Sequence, residues 1–532
     1  MKKHNLFKVI VLTFLAVVVL TWIIPAGGYG SGEFASSGRT PLGLFDLVRT
    51  PLIAFANLMQ YGYIVLIIGG FYGVLSKTGA YASLLEKCSK KINGKKFLVA
   101  MIVVLAALES LTGATFAIFI IVPFLASLVL KKGYGKITAM ASTVGALLLG
   151  SMAATYDYGI LGNLTQYLAI EFDATLIPRI VFFVISVILY SFIVVRNAKV
   201  QMIEIEEEIE VEEKAPRKRA SKTAAETKSS KSKAAKETKT SKTKTSKTKT
   251  KAETKGKKDE IKVTKKKIKK IRKEIAPVEI PFVDETVKAK KTTALLVYMI
   301  ILLVFTIVAM FNWSSVLQVE FFNELHTKIA EVKIGSFPIF SNILGTFSTL
   351  GTWTNYDLII FLIPATFVIG FIYSVKLDDM IDGFVNGVKC MAKPAFLVVL
   401  ATTIYATMFS SATGDNIFYT IVHKLLGIKG SMSLFAAGIV SGIGSLIYSD
   451  FSSLVGSVAA PFGPAFHNTM KAASFVLQTI YGAVSFVSPA CILTILGLSY
   501  FDISYKEWFK YIWKFLVGCI IVVAVIAFIL VK

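Results

Sequence analysis

An all-α polytopic membrane protein, built as an inverted repeat with two re-entrant hairpins and two interrupted helices, is the fold class that this 532-residue sequence predicts. Three observations lead there. The chain is 54% hydrophobic, yet its net charge is +24, and the stretch from Gln201 to Lys291 holds 29 Lys/Arg against 16 Asp/Glu. The 441 residues outside that stretch are more apolar than a globular domain, which excludes both a soluble enzyme and a wholly disordered basic protein. Apolar segments of about 20 residues, the length a helix needs to cross a bilayer, recur between lysine-rich flanks. Finally, the two halves repeat one another in order.

Taken along the chain, spans are predicted at Leu6 to Ile24, Tyr61 to Gly79, Leu176 to Val195, Thr292 to Phe311, Leu358 to Tyr373, Pro394 to Phe409 and Tyr511 to Val531. Ile137 to Ile170 and Ala472 to Leu498 are long enough to span but are interrupted in the middle. Phe97 to Leu130 and Ser431 to Gly463 are short apolar arms around a polar tip, hence hairpins. Lysines and arginines flanking spans stay in the cytoplasm. That rule puts the N-terminus (Lys2, Lys3, Lys8) and the Lys-rich loop inside and the C-terminus outside, in a multi-pass cell-membrane protein of nine spans and two hairpins. A cleaved signal peptide fits the N-terminal run less well, because the run is longer than a signal core.

The repeat spacing is 335 to 338 residues. Ser76-Lys-Thr-Gly79 faces Ser411-Ala-Thr-Gly414; Lys87 faces Lys424; Ser110 and Pro123 face Ser445 and Pro461. Upstream, the interfacial stretch FDLVRTPLIAFANLM matches LDDMIDGFVNGVKCM. One additional span between the copies inverts the second, as in many secondary transporters, where interrupted segments at matching positions mark the binding site. The organisation is therefore a first membrane repeat over 1–195, a disordered Lys-rich cytoplasmic linker over 196–291, a connecting helix over 292–311 and a second repeat over 312–532. Within the linker, IEIEEEIEVEE and IKVTKKKIKKIRKEI are read as transient helices. The linker cannot bury a core. It serves as a solvated tether or touches anionic lipid headgroups, whereas nucleic acid is disfavoured because no aromatic residues interleave its KTSKTKT tract.

Breaks in a membrane helix persist only where protein, water or a ligand satisfies the freed backbone. The polar residues there are the candidate substrate- or ion-binding set: Glu109, Ser110, Thr112, Gly113 and Thr115 at the first tip; Thr155, Asp157 and Asn163 at the first break; Ser449, Asp450, Ser452, Ser453 and Ser457 at the second tip; and Ser488 at the second break. The acids are the sharpest of these, since an ionised carboxylate at bilayer depth costs about 2.5 to 3.5 kcal/mol. Such a group can hold a proton, coordinate Na⁺ or pair with a cationic cargo. Asp415 and His423 are read as interfacial. Cys88, Cys390, Cys491 and Cys519 form no CxxC pair, and neither HExxH, GxSxG nor a Walker sequence occurs, so no metal site, enzyme or self-powered pump is expected.

TWIIPAGGY, IGGFYGVLSKTGA, GATFAIFIIVPF and SPACILTILGLSYFDISYKEWFKYIW resemble the YfcC-type branch of the C4-dicarboxylate anaerobic carrier (DcuC-type) family, across nearly all of both membrane halves. The resemblance implies the ion transporter superfamily fold, an elevator-like core, basic amino acid or dicarboxylate cargo, and a homodimer; the hydroxyls and carboxylates at the tips and breaks make Na⁺ or H⁺ the expected coupling ion. This chain departs from the family where Ala117 to Ile120 follow GATF and where Thr155 to Gly159 replace an Asn-Pro. With three acids and no central Lys or Arg, the residues favour an amino acid, and a basic one in particular, as cargo of a secondary transporter. A C4-dicarboxylate is the alternative. An anchor that binds a partner through its basic insert is the reading from a different class.

Overall fold

The computed structural model describes residues 6–30, 33–213, 264–275, 280–284, 286–409, 414–428 and 432–531. The chain divides into two compact units, residues 1–201 with 275–532, and residues 202–274.

In the larger unit, α1 (Leu6–Ile23) is followed by a hairpin of β1 (Ala26–Gly30) and β2 (Glu33–Gly38). Helices α2 (Asp46–Leu58) and α3 (Gln60–Lys77) meet at a 58° bend. Gly79, at φ 68°, turns the chain into α4 (Ala80–Lys91). The first hairpin is α5 (Gly94–Thr112), α6 (Thr115–Phe119) and α7 (Val122–Lys131), with Pro123 in the first turn of α7, where its missing N–H costs nothing. The first interrupted helix is α8 (Lys136–Ser142), α9 (Val144–Met152) and α10 (Tyr158–Leu168), and α11 (Leu176–Asn197) closes the half.

The smaller unit holds β3 (Met202–Glu213) and β4 (Thr264–Ile275), paired as a two-stranded sheet. Strands thus replace the transient helices expected there. The reason is visible in Ile203, Ile205, Ile209 and Val211, β-branched residues at odd positions, the period of a strand. The low-complexity Lys-rich core of the expected disordered linker, 214–263, lies outside the described residues. The end of that linker is ordered: Lys77 Nζ pairs with Asp284 at 2.9 Å, the Phe282 ring lies against Tyr72, and Lys290 N–H donates to Gly79 O at 3.2 Å.

The second half begins with α12 (Thr293–Met310). A surface arm follows, made of α13 (Trp313–Leu317), α14 (Phe321–Glu331), the two-residue strands β5 (Lys333–Ile334) and β6 (Phe337–Pro338), and α15 (Ile339–Leu344). Helix α16 (Asn355–Ile372) starts at a capping box of Thr354 and Asp357. Next come α17 (Leu377–Ala406) and α18 (Ile417–Leu426), then the second hairpin, α19 (Ser433–Ile447) with α20 (Phe451–Ala465). The second interrupted helix is α21 (Met470–Ser485) with α22 (Ile492–Tyr500), and α23 (Tyr505–Val531) ends the chain.

The order repeats. Helices α4 to α11 have counterparts in α18 to α23, and the bent pair α2 and α3 corresponds to the single 30-residue α17. Among the described residues, six helices are long and apolar enough to cross a membrane, seven with the bent pair, and they fall at the seven uninterrupted spans expected. The stretch of α17 before Met391, read as interfacial, forms one continuous helix with the span that follows it. Its Gly383 and Gly387 pack against Gly69 and Gly73 of α3. A Cβ on Gly69 would lie 2.6 Å from Gly387 O, and one on Gly383 would lie 2.8 Å from Gly73 O. Small residues allow this close approach of two helix backbones.

Candidate functional site

Both hairpin tips and both helix breaks converge. At the first break, the amides of Thr155 and Tyr156, which have left the helical ladder, donate to Ser110 O at 2.9 and 3.1 Å. Ser110 Oγ donates to Ala153 O at 2.7 Å, and Thr155 Oγ1 lies 3.2 Å from Ser110 O. The second half repeats the clamp: Ser488 Oγ donates to Ser445 O at 2.5 Å, and Ser445 Oγ to Tyr481 O at 2.9 Å. Hairpin and interrupted helix thereby satisfy each other's backbone, as irregular chain within a membrane protein requires.

The two halves are also stitched together. Gln478 Nε2 donates to Ala154 O at 3.2 Å, Ser452 Oγ donates to Asn163 Oδ1 at 2.8 Å, and Gly482 packs on the Met152 backbone, where any Cβ would collide.

Between the tips lies a cavity of about 360 Å³. From the first half Gly113, Thr115 and Asp157 line it, and from the second Ser449, Asp450 and Ser452 do. Among the described residues, no lysine, arginine or histidine is on its wall. That volume is near the lower end of the roughly 300–1,000 Å³ typical of small-molecule sites. A larger cleft of about 1270 Å³, with Lys136, Asp284 and Lys393 on its walls, contains no tip or break residue.

The carboxylates differ in their surroundings. Glu109 is buried; Thr115 Oγ1 donates to its Oε1, and its Oε2 has no partner among the described residues. Asp157 is the N-cap of α10, and Gly113, at φ 62°, presses against it so closely that a Cβ there would collide with the carboxylate. Asp450 is the N-cap of α20, accepting from Ser453 N at 2.8 Å and Ser453 Oγ at 2.9 Å, and Tyr405 Oη donates to Ser453 Oγ at 2.6 Å.

Of the fourteen candidates named from the sequence, six line the cavity. Glu109, Ser110, Thr155, Asn163, Ser453 and Ser488 stand behind it as supports. Thr112 turns back to Leu108 O at 2.7 Å, and Ser457 bonds Ser453 O at 2.9 Å. Asp415 and His423 lie apart, His423 stacked on Phe34 at 4.1 Å. Sequence reasoning missed Tyr61, Met310, Asn355, Tyr481 and Cys491, which also form the wall. Their only advance signal is position: Tyr61 and Asn355 lie near the starts of α3 and α16, Met310 ends α12, and Cys491 is the N-cap of α22.

Residues 4–238 and 245–532 match the family described as DcuC, C4-dicarboxylate anaerobic carrier. No curated protein matches the chain. Among solved structures, the YdaH transporter of Alcanivorax borkumensis, described as having an unusual topology, aligns over 98% of this chain and 97% of its own at 10% identity and a TM-score of 0.37.

Proposed function

The chain belongs to the DcuC family of C4-dicarboxylate anaerobic carriers, and from that premise we propose that it moves C4-dicarboxylates through the cavity between its two hairpin tips. It is a multi-pass membrane transporter and not an enzyme. The cargo proposed replaces the amino acid favoured by the sequence alone, because the family description fits the dicarboxylate alternative better.

The single observation that carries this reading is the convergence of both tips and both breaks on one cavity of metabolite size. Donors suited to a carboxylate line it: the Tyr61 hydroxyl, the Asn355 amide and the Ser449 hydroxyl. Ser449 Oγ is buried without a partner among the described residues, so a cargo oxygen would satisfy it.

Asp157 and Asp450 on the wall, with Glu109 behind, would repel a dianion. Burying like charges together is prohibitive unless each is neutralised. Co-transported cations, Na⁺ or H⁺, resolve the conflict, and Glu109 with its free Oε2 and Asp157 are the groups to receive them. Transport is then coupled, since the loaded cavity is tolerable only with both cargoes aboard.

The test is counterflow of labelled succinate into proteoliposomes preloaded with unlabelled succinate, with fumarate, arginine and ornithine as competitors. Accumulation that fumarate blocks and arginine does not is the expected result. Arginine counterflow blocked by ornithine, with no succinate signal, would overturn it.

A further inference from the structure

Arg179 carries a charge that the carrier cavity does not use. It is the fourth residue of α11 and only 3% exposed, and neighbouring Thr175 is 1% exposed. Arg179 Nε and Thr175 Oγ1 both lack a hydrogen-bond partner among the described residues. A buried polar atom without a partner is costly, and natural structures rarely keep one.

Thr175 is the N-cap of α11 and Arg179 lies in its first turn; a helical side chain leans toward its own N-terminus, so the guanidinium is directed to the helix start where Thr175 sits. The backbone of this helix start offers little. Leu176 N–H is taken by Asp173 O at 2.9 Å, Arg179 N–H by Thr175 O at 3.1 Å, and Pro178 has no N–H. The nearby acids Glu171 and Asp173 are exposed, and neither forms an ion pair with Arg179 among the described residues.

The second half shows what a donor at this position does when the chain supplies an acceptor. Trp508 is the fourth residue of α23, which follows the second interrupted helix as α11 follows the first. Its buried Nε1 donates to Phe486 O, at the break, at 2.7 Å. In the first half the corresponding carbonyls are occupied, Ala153 O by Ser110 and Ala154 O by Gln478.

We propose that Arg179 and Thr175 together hold a compact oxyanion of the phosphate class, at a site separate from the carrier cavity. A guanidinium beside a hydroxyl suits tetrahedral oxyanions, to which it donates in a fork. Two sources share that chemistry: free inorganic phosphate and the phosphate of a lipid headgroup.

The test is thermal unfolding of the full chain in detergent, stripped of lipid. Inorganic phosphate is titrated at constant ionic strength in one arm; in the other, phosphatidylglycerol is compared with a phosphate-free galactolipid. The unfolding midpoint of the unaltered protein should rise by about 2 °C or more at saturation, and Arg179→Gln should lose the rise. Thr175→Val, which keeps the charge, should weaken binding and serves if the arginine variant fails to fold. A rise with free phosphate identifies a soluble anion, and a rise with phosphatidylglycerol alone identifies a headgroup. No rise in the unaltered protein, or equal rises in it and the variants, would overturn the proposal.

Discussion

The two hairpin tips have the same supports and unlike carboxylates. In each, a hairpin serine exchanges bonds with the break of an interrupted helix: Ser110 with Ala153 and Thr155, Ser445 with Tyr481 and Ser488. The acids differ. Asp450 is occupied with capping α20 through Ser453, whereas Glu109 keeps one oxygen free and Asp157 is pressed against Gly113. The backbone frame is therefore common to both halves, and the charge chemistry belongs mainly to the first.

The hardest test of that asymmetry is Gly113→Ala. The residue sits at φ 62°, and its Cβ would meet the Asp157 carboxylate. We expect succinate uptake into proteoliposomes to fall about 100-fold, as small misplacements in a reacting or binding centre do. The corresponding residue of the second tip, Tyr448, has ordinary extended backbone and no such restriction. Uptake near normal in Gly113→Ala would remove the asymmetry. Next, Asp157→Asn should weaken the coupling cation about tenfold, equivalent to about 1.4 kcal/mol, measured as the cation concentration for half-maximal uptake. Asp450→Asn should leave the melting temperature unchanged, because asparagine caps as well as aspartate, while Asp450→Ala should cost about 1 kcal/mol. Equal loss of stability in both Asp450 variants would contradict its capping role.

The common frame predicts equality. Ser110→Ala and Ser445→Ala should each cost about 1 kcal/mol by removing one buried hydroxyl bond; a severalfold difference in denaturation would break the correspondence. The smallest effect concerns a feature only the first half has. Lys77 in the Ser76 to Gly79 turn pairs with Asp284, whereas the matching turn has alanine at 412. Thr286 hydrogen bonds and Lys77 lower the Asp284 pKa to about 2. Its pKa being depressed in the folded state, the contribution is present above the unfolded value of about 3.9 and disappears as pH falls through 2. At this half-exposed site the gain stays under about 1 kcal/mol. Asp284→Asn should lower the melting temperature slightly at pH 6 and not at all near pH 2.

Much of the fold is legible because a bilayer imposes a simple grammar: apolar runs of fixed length, basic flanks and polar breaks. The offset between Ser110 and Ser445 already holds the repeat. What stays hidden is side-chain direction and long-range contact. Thr112 belongs to the first tip in sequence, yet its hydroxyl turns back to Leu108. Tyr61, Met310 and Asn355 enter the site from three separate helices, and no local pattern announces them. The strand alternation of Ile203, Ile205, Ile209 and Val211 is legible, but the eye goes to the charges between them.

The crossing of α3 and α17 bears on how the chain is made. Gly69 and Gly73 receive their partners, Gly383 and Gly387, only after about 310 further residues have been synthesised, a delay of roughly 15 to 60 s at ribosomal rates of 5–20 residues per second. For that interval the groove on α3 faces lipid or an insertion chaperone, and the first half cannot be a finished unit when it leaves the ribosome. Biogenesis has to wait for the second copy.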